Sequence, residues 1–347
     1  MKKIFKAGWV ILALGAVLAI VGAAFNGVKA VEFNGFKVQT VKKDTAITKT
    51  YAKKEFERIE FVNGSGYFVP MELEIKQGQD YSVSYSGSSR FEPKIDYQNG
   101  TLKVARGQEM HGFSFYLNNY RSKIDSKLII TVPENVKLSF VKVNGNYDNI
   151  KLEKLNIATL ELEANSSEKL SLNEVTTERT DIDMNTDEVT LTNSKLNNGE
   201  LSLVADLVVS GGELTNINVK VDSEGRVYYK DGLVLNGGGT QLADEVYGYA
   251  SDDDNDADND SDYADNSEPS AELDADTITI KGKYEIKNNT GVTRIMNATV
   301  QGYRLTNKHG KNNLHDQQQT NGGTLEENAD QADVLTLSSR IGENTVK

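Results

Sequence analysis

The residues best suited to chemistry lie in one acidic tract. Its carboxylates alternate with other residues at Asp252, Asp254, Asp256, Asp258 and Asp260. Calcium is bound by several hard oxygen ligands, and this pattern supplies them. A calcium-binding EF-hand loop starting at Asp252 would also need Gly and Glu where the sequence has Ala257 and Tyr263. The pattern therefore favours a disordered, solvated loop, with weak calcium binding or binding of cationic peptides as the alternatives.

Most of the chain's excess charge belongs to this tract. The chain has 347 residues and a net charge of −13. Residues 251–276 contain ten Asp and two Glu without Lys or Arg, so they carry −12 and leave −1 for the rest. A nearly neutral body has no basic face for phosphates, which argues against a nucleic-acid partner. The chain also lacks cysteine, which excludes disulfides and thiolate chemistry.

Histidine offers little further chemistry. His111, His309 and His315 are the only three, and the last two are six residues apart in a polar stretch. The sequence shows no third metal ligand near them, so solvated loop histidines are favoured. A catalytic triad is equally poorly supported, and we predict a non-enzyme without a cofactor.

One short stretch is rich in aromatic side chains. It contains Phe113, Phe115, Tyr116 and Tyr120. Such side chains could anchor a partner or stack on sugars. Packing on a strand or cap is the favoured interpretation, and contact with a partner is the alternative.

The N-terminal segment predicts the membrane topology. Residues 7–25 contain no charged side chain, and as a helix they would span about 28 Å, close to a bilayer core. Lys2, Lys3 and Lys6 precede them and Trp9 lies at the expected inner interface. We predict a cytoplasmic stub at 1–6, a single transmembrane helix, and a body outside the cell. A cleaved signal peptide, and hence secretion, is the alternative.

Short strands dominate the exported part. Residues 26–54 form a predicted connector, and 55–133 a β-rich cap with period-2 alternation at 71–75 and 81–85. The pair Asn99-Gly100 between two apolar runs predicts a hairpin.

Residues 134–242 repeat. Two interleaved series of apolar pairs recur every 18 to 22 residues. The second members of each pair are Val143, Leu162, Met184, Leu203 and Val221 in the first series, and Leu152, Leu172, Leu191, Val209 and Tyr229 in the second. Asn- and Gly-rich turns are predicted at 144–145, 165–167, 197–199, 211–212 and 222–225. This period favours a single-sheeted or triangular β-solenoid, in which each rung buries its face on the next, over an antiparallel sandwich.

The repeat pattern stops near the glycines at 237–239, and the acidic tract follows. We interpret 243–276 as a disordered insertion and 277–347 as the strands that close the solenoid. A linker between two domains is the alternative, but 277–347 alone has few large apolar side chains.

The order of these elements resembles the bacterial putative-adhesin family, a domain family of unknown function common in Gram-positive bacteria. The resemblance rests on the Phe-x-x-Ile opening at 56–59, the runs 71–78 and 81–83, the element 99–102, and Ile-Thr-Val-Pro at 130–133. It implies a β-solenoid with a cap behind a membrane helix and a surface role, and it brings no catalytic residues. The acidic insertion departs from the family pattern.

Together these features predict an all-β, membrane-anchored extracellular protein that binds through its surface. Its expected partners are the membrane and a cell-surface, wall-polymer or protein ligand. The alternative is an envelope-stress regulator that senses cationic peptides through its acidic loop. A calcium-dependent polysaccharide enzyme is the least favoured reading, because the rungs offer acids such as Asp181, Asp183 and Asp187 without a repeated basic partner.

Overall fold

The structure is a computed structural model of the chain. It describes residues 31–34, 37–40, 44–62, 68–89, 91–105, 114–115, 124–222, 225–242 and 271–347, with four isolated positions at 12, 14, 15 and 17. The predicted transmembrane helix 7–25 otherwise lies outside the described residues. Within the described part, no helix is long and apolar enough to cross a bilayer.

Every named element is a β-strand, so the all-β prediction is confirmed. The strands before the repeats are β1 (Val31–Asn34), β2 (Lys37–Thr40), β3 (Ala46–Thr50), β4 (Arg58–Val62), β5 (Phe68–Gly78), β6 (Ser82–Ser88), β7 (Lys94–Gln98), β8 (Thr101–Ala105), β9 (Ser114–Phe115) and β10 (Lys127–Pro133). Those of the repeats are β11 (Lys137–Asn144), β12 (Asn146–Glu153), β13 (Asn156–Asn173), β14 (Thr176–Thr192), β15 (Lys195–Ser210), β16 (Glu213–Val221), β17 (Val227–Lys230) and β18 (Val234–Leu242). The remainder are β19 (Glu272–Asp276), β20 (Thr279–Lys281), β21 (Lys283–Asn288), β22 (Val292–Met296), β23 (Gly302–Asn307), β24 (Lys311–Leu314), β25 (Gln317–Gln319), β26 (Gly323–Glu327), β27 (Val334–Ser339) and β28 (Glu343–Val346).

Successive rungs pair in parallel in two stacks. The first stack joins β4, β11, the first half of β13, then β14, β15, β16, β18 and β21. The second stack joins β5, β12, the second half of β13, then β14, β15, β17, β19 and β22. Alternate side chains of both stacks point inward and form one buried core.

The corner that ends each rung uses one residue in the left-handed conformation. The residues with positive φ at this corner are Lys154, Glu174, Asn193, Gly211, Asp231, Thr277 and Asn297. Their amides bond to the neighbouring rung, as from Glu174 N to Thr192 O at 2.8 Å. Left-handed backbone costs about 1 kcal/mol for most residues, which explains Asn, Asp and Gly at this corner.

The predicted register is correct in one series and wrong at one step of the other. In the second stack Leu152, Leu172, Leu191, Val209 and Tyr229 are all register partners. In the first stack Leu162 pairs with Ile182, whereas Met184 pairs with Ala164. The apolar pattern misleads there because the core position opposite Leu160 holds Thr180. That threonine is buried and bonds to Thr177 Oγ1 at 2.6 Å.

Some predicted turns lie inside long strands. Residues 165–167 fall within β13, where the register shifts between Ala164 and Ser167. Residues 197–199 fall within β15, which bends at Asn198 with φ of 50°. The glycines at 237–239 do not end the repeat, because β18 continues through them and pairs with β16. Such a bend changes the direction of the strand while its backbone hydrogen bonds to the neighbouring strands are kept.

Antiparallel strands cover the N-terminal end. β7 and β8 form the predicted hairpin, with Asn99 and Gly100 both at positive φ. β6 pairs with β10 and with β3, so a strand of the main sheet lies inside the predicted connector 26–54. β1, β2 and β9 form a separate three-stranded sheet.

The C-terminal rungs do not follow chain order. β27 lies between β21 and β23, and β28 lies between β22 and β24. β23 and β24 are therefore farther out than strands that come later in the chain. β26 and β25 pair antiparallel with β23 and β24 and cover this end.

Candidate functional site

Most of the predicted site residues lie outside the described residues. This holds for Lys2, Lys3, Lys6 and Trp9, for Asp252, Asp254, Asp256, Asp258 and Asp260, and for His111, Phe113, Tyr116 and Tyr120. Phe115 is described only as part of the backbone of β9. The calcium, membrane and aromatic-contact hypotheses on these residues stay predictions.

The flanks of the acidic tract are described. β18 ends at Leu242 and β19 begins at Glu272. β18 pairs with β16 and β21, while β19 pairs with β17 and β22. Residues 243–270 therefore leave and rejoin the same solenoid at the corner between its two stacks.

The two described histidines are not assembled into a metal centre. His315 Nδ1 lies 3.0 Å from Glu327 Oε2, and its ring packs edge-on against Tyr303. His309 lies in the β23–β24 turn, where its amide donates to Asn307 Oδ1. Among the described residues no group of three His, Asp or Glu side chains could hold a metal ion.

Charged side chains follow the outer side of the first stack. We call this surface the ladder face; it comprises the outward residues between Lys142 and Lys287. Partners in successive rungs form ion pairs, from Lys142 to Glu161 at 3.0 Å and from Lys220 to Glu200 at 2.7 Å. Hydrogen bonding to Glu161 raises the pKa of Lys142, and bonds from Lys220 and Ser202 lower that of Glu200.

One half of the ladder face is acidic. A shallow depression of about 200 Å³ is bordered by Lys142 and by four carboxylates, Glu161, Glu163, Asp181 and Asp183. Glu161 pairs in register with Asp181, and Glu163 with Asp183. Like charges on adjacent strands repel each other, so this arrangement reduces stability slightly.

The other half of the ladder face contains a groove of about 240 Å³. We call it the glycine groove. Its floor is Gly238 and Gly239, and its charged walls are Glu200, Lys220, Glu285 and Lys287. Lys287 Nζ lies 3.3 Å from Glu285 Oε2. The groove therefore presents both signs of charge beside open backbone.

Backbone geometry requires the glycine floor. Gly238 has φ of +85°, and a Cβ there would lie 2.1 Å from the carbonyl oxygen of Ile217. Gly239 occupies the outward row between Asn218 and Glu285, where a Cβ would lie 2.9 Å from the Glu285 carbonyl. Two rungs thus approach closely here, and the missing side chains open the groove.

A buried hydrogen-bonded triad lies in the core at this level. Thr240 Oγ1 is 2.7 Å from the hydroxyl of Tyr229 and 2.7 Å from that of Tyr284. Burial raises the pKa of Tyr284 to about 12, and it also raises the pKa of Tyr229 well above its usual value. Both phenols therefore stay neutral at physiological pH, and the threonine that joins them directly follows Gly239 of the groove's floor.

The described groups with shifted pKa values change in one sense. Shifted tyrosines, lysines and Arg226 have raised pKa values, and shifted glutamates have lowered ones. Each of these shifts moves away from neutrality, whereas a general acid or base works best with a pKa near the working pH. The ladder face can therefore offer fixed charges and hydrogen bonds to a ligand.

Sequence reasoning did not identify the glycine groove. Its charged walls belong to three different rungs, since Glu200 lies in β15, Lys220 in β16, and Glu285 and Lys287 in β21. Each of them looks like an ordinary exposed strand residue. The available signal was the glycine run at 237–239, which interrupts the apolar alternation without ending the repeat.

Comparison with known proteins supports the family resemblance. Residues 69–236 match the model of the Toastrack domain, DUF4097.

A crystal structure of a putative adhesin from Parabacteroides distasonis ATCC 8503 is 10% identical, over 87% of this chain and 96% of that chain, with a TM-score of 0.41. A putative adhesin from Bacteroides fragilis NCTC 9343 is 11% identical, over 87% and 97%, with a TM-score of 0.35. A structure named as a putative lipid binding protein, also from Parabacteroides distasonis, is 10% identical over 87% and 97%, with a TM-score of 0.30. No curated protein matches the chain.

Proposed function

We propose that this chain, in which residues 69–236 match the Toastrack domain family, is a surface-binding protein of the cell envelope. In this proposal residues 7–25 anchor it in the membrane and the solenoid lies outside the cell. It acts by binding and not by catalysis. The lysines before 7–25 support this orientation through the positive-inside rule.

The glycine groove is the observation that carries this proposal. It is a concave, open site on a rigid sheet, and its walls combine donors on Lys220 and Lys287 with acceptors on Glu200 and Glu285. A regular sheet presents such a row to an extended ligand. We propose a polar wall polymer as this ligand, because sugar hydroxyls and charged substituents match donors and acceptors in alternation.

The experiment measures binding of the full-length chain in detergent to purified cell-wall fragments. We expect the double variant Lys220→Ala/Lys287→Ala to bind about thirtyfold more weakly, since each of the two charge-assisted bonds contributes about 1 kcal/mol. The matched control is Lys169→Ala, which removes a cross-rung ion pair to Glu188 on the second stack. Equal binding by all three proteins would refute a role for the groove.

The anchor needs its own experiment. Mass spectrometry of the membrane fraction should find a chain that retains residues 1–25. A mature chain that starts after residue 24 or 30 would instead show cleavage and secretion.

A second candidate function concerns the acidic tract. Residues 243–270 connect strands that are both held in the solenoid, so they can be replaced without interrupting its ladders. The preceding rung makes the same connection with the five residues 222–226. Replacing 243–270 by this short loop should abolish binding of a cationic peptide if the tract is a sensor. It should leave wall binding unchanged if the glycine groove is the site.

A further inference from the structure

Residues 243–270 leave and rejoin the solenoid at the corner between its two stacks, and the rungs beyond them turn at the same corner. Strand pairing stacks three short turns there, in the order 289–291, 340–342 and 308–310. Backbone bonds join them, from Arg340 N to Asn289 O at 2.9 Å and from His309 N to Arg340 O at 2.8 Å. The corner is therefore a continuous column of turns on this side of residues 243–270.

These turns expose cations. Arg340 lies two rungs beyond residues 243–270, and Lys308 and Lys311 lie three rungs beyond them. All three side chains are exposed, and none of them forms an ion pair with another described residue. Ile341 lies beside Arg340 and is 46% exposed. We call these four side chains the corner patch.

One carboxylate borders the corner patch without neutralising it. Glu343 is the register partner of Lys311, but its Oε1 accepts hydrogen bonds from Asn313 Nδ2 and Thr345 Oγ1, at 2.9 and 3.1 Å. The patch therefore keeps an excess of positive charge, which favours an acidic partner.

The same corner is acidic on the other side of residues 243–270. The preceding turns carry Asp222, then Asp206, then Asp187. Arg226 lies beside them, and its amide donates to Asp206 Oδ1 at 2.8 Å. Residues 243–270 contain eleven Asp and Glu residues without Lys or Arg. Like charges repel, so such a segment is driven toward the corner patch and away from the preceding turns.

The acidic run is long enough to reach the corner patch. Neighbouring strands are about 4.8 Å apart, so two or three rungs place the patch about 10–15 Å away. Asp252 follows Leu242 by ten positions, and an extended chain of that length spans about 33 Å. Tyr247 and Tyr249 lie in between and supply apolar surface for Ile341. Because both ends of the segment are fixed to the solenoid, its local concentration at the patch is on the order of millimolar.

We propose that the corner patch is the docking surface of the chain's own acidic segment, residues 243–270. The carboxylates of 252–262 pair with the three cations of the patch, and the tyrosines that precede them contact Ile341. Exposed ion pairs are individually weak and are screened by salt, so docking weakens as the ionic strength rises. A cationic peptide that binds this segment competes with the patch for the same carboxylates. Docking of the segment does not depend on the ligand of the glycine groove.

Disulfide formation tests the docking in the full-length chain, which contains no cysteine of its own. One protein carries Ile341→Cys with Asp256→Cys, and its matched control carries Val204→Cys with Asp256→Cys. At low salt under mild oxidation we expect the first pair to close about tenfold faster, the factor expected from two or three exposed ion pairs. Sodium chloride at about 0.5 M should remove most of the difference.

Val204 is a matched position for Ile341. It is 47% exposed, and it lies two rungs before residues 243–270, whereas Ile341 lies two rungs beyond them. Since cations lower the pKa of a nearby thiol, each rate is divided by the reactivity of the corresponding single-cysteine chain with a neutral disulfide reagent. Only the proximity of the acidic segment then distinguishes the two pairs.

Two results would overturn the proposal. One is an equal normalised rate for the Val204→Cys and Ile341→Cys pairs at low salt. The other is an unchanged preference for Ile341→Cys after four neighbouring carboxylates are replaced: Asp252→Asn, Asp254→Asn, Asp258→Asn and Asp260→Asn. Neither result affects the assignment of the glycine groove.

Discussion

Among the described residues, the central rungs at 156–221 bury polar side chains only as Ser and Thr hydroxyls, whereas both ends of the solenoid also bury a carboxylate or amides. In the centre, inward rows such as Leu172 and Leu191 stack on identical positions of the next rung. At the N-terminal end Glu74 is buried with Lys76 and Lys127 as partners. At the C-terminal end the fully buried amide side chains are Asn288, Asn307, Asn312 and Asn344.

The difference shows that stacking alone does not supply hydrogen-bond partners for the backbone at the ends of the solenoid. A middle rung has a rung on each side, so the ladders satisfy most of its backbone groups, and small hydroxyls such as that of Ser194 bond to the rest. At an end the chain must turn back, and carbonyl groups lose regular partners. Asn312 Nδ2 donates to the carbonyl oxygens of Leu305 and Gly323, at 3.3 and 3.0 Å. Asparagine supplies both a donor and an acceptor in a buried turn.

The largest loss of stability is expected from a cavity in the core of the central rungs. Leu172→Ala should lower the free energy of unfolding by about 3 kcal/mol, since Leu172 is fully buried and its rows are closely packed. Ser171→Ala, on the outward side of the same strand, is the control and should change little. Denaturant unfolding of both variants measures the difference, and a similar small effect for both would contradict the packing of this row.

The second-largest loss of stability is expected from removal of a buried amide at the C-terminal end. Asn344 Nδ2 donates to Thr306 O, Asn312 Oδ1 and Ser339 Oγ. Asn344→Ala leaves those acceptors unpaired and should cost about 2 kcal/mol. The exposed Asn289→Ala is the control. Hydrogen exchange should show the loss mainly in 283–347, and an effect spread evenly over the central rungs would argue against a local role.

The N-terminal end gives a pH-dependent prediction. Burial acts to raise the pKa of Glu74, but hydrogen bonds from Lys127 and Lys76 lower it below its usual value near 4.5. A carboxyl with a lowered folded-state pKa stabilises the fold above the unfolded-state pKa, and this contribution is lost as the pH falls through the folded value. Glu74→Gln should therefore cost about 1–2 kcal/mol at pH 7 and less below pH 4.5.

Unfolding curves between pH 3 and pH 7 measure this dependence. Glu153→Gln is the matched control, because the pair between Glu153 and Lys151 is nearer to solvent. A constant difference between wild type and Glu74→Gln across that range would show that the charge of Glu74 is not responsible.

The smallest change in stability is expected at a central rung's corner, where one residue has a left-handed backbone conformation. Glu174 has φ of 54° where the next rung has Asn193. Glu174→Asn should stabilise the fold by about 0.5 kcal/mol, since Asn tolerates this conformation better. Glu178→Asn, within the following strand, should not stabilise. A loss of stability in Glu174→Asn would mean that the glutamate side chain makes a compensating contact.

Much of the fold could be predicted from the sequence because its signals are local. Alternation marks inward positions, and a recurrence near 20 residues marks the stacking. The error at Met184 arose where a hydrogen-bonded threonine pair, Thr177 and Thr180, replaces an apolar residue in the core. The glycine groove was missed because its walls come from separate rungs that only stacking brings together.

The sequence by itself determined that this chain forms strands, that these strands repeat, and which of their side chains face inward. The tertiary structure decided the order of the last rungs. Segments 302–314 and 334–346 carry the same pattern of core, polar and glycine positions, so periodicity alone assigns either one to the place beside 283–295. Pairing with β21 on one side and β23 on the other places β27 between them, because backbone ladders depend on which edges meet in space.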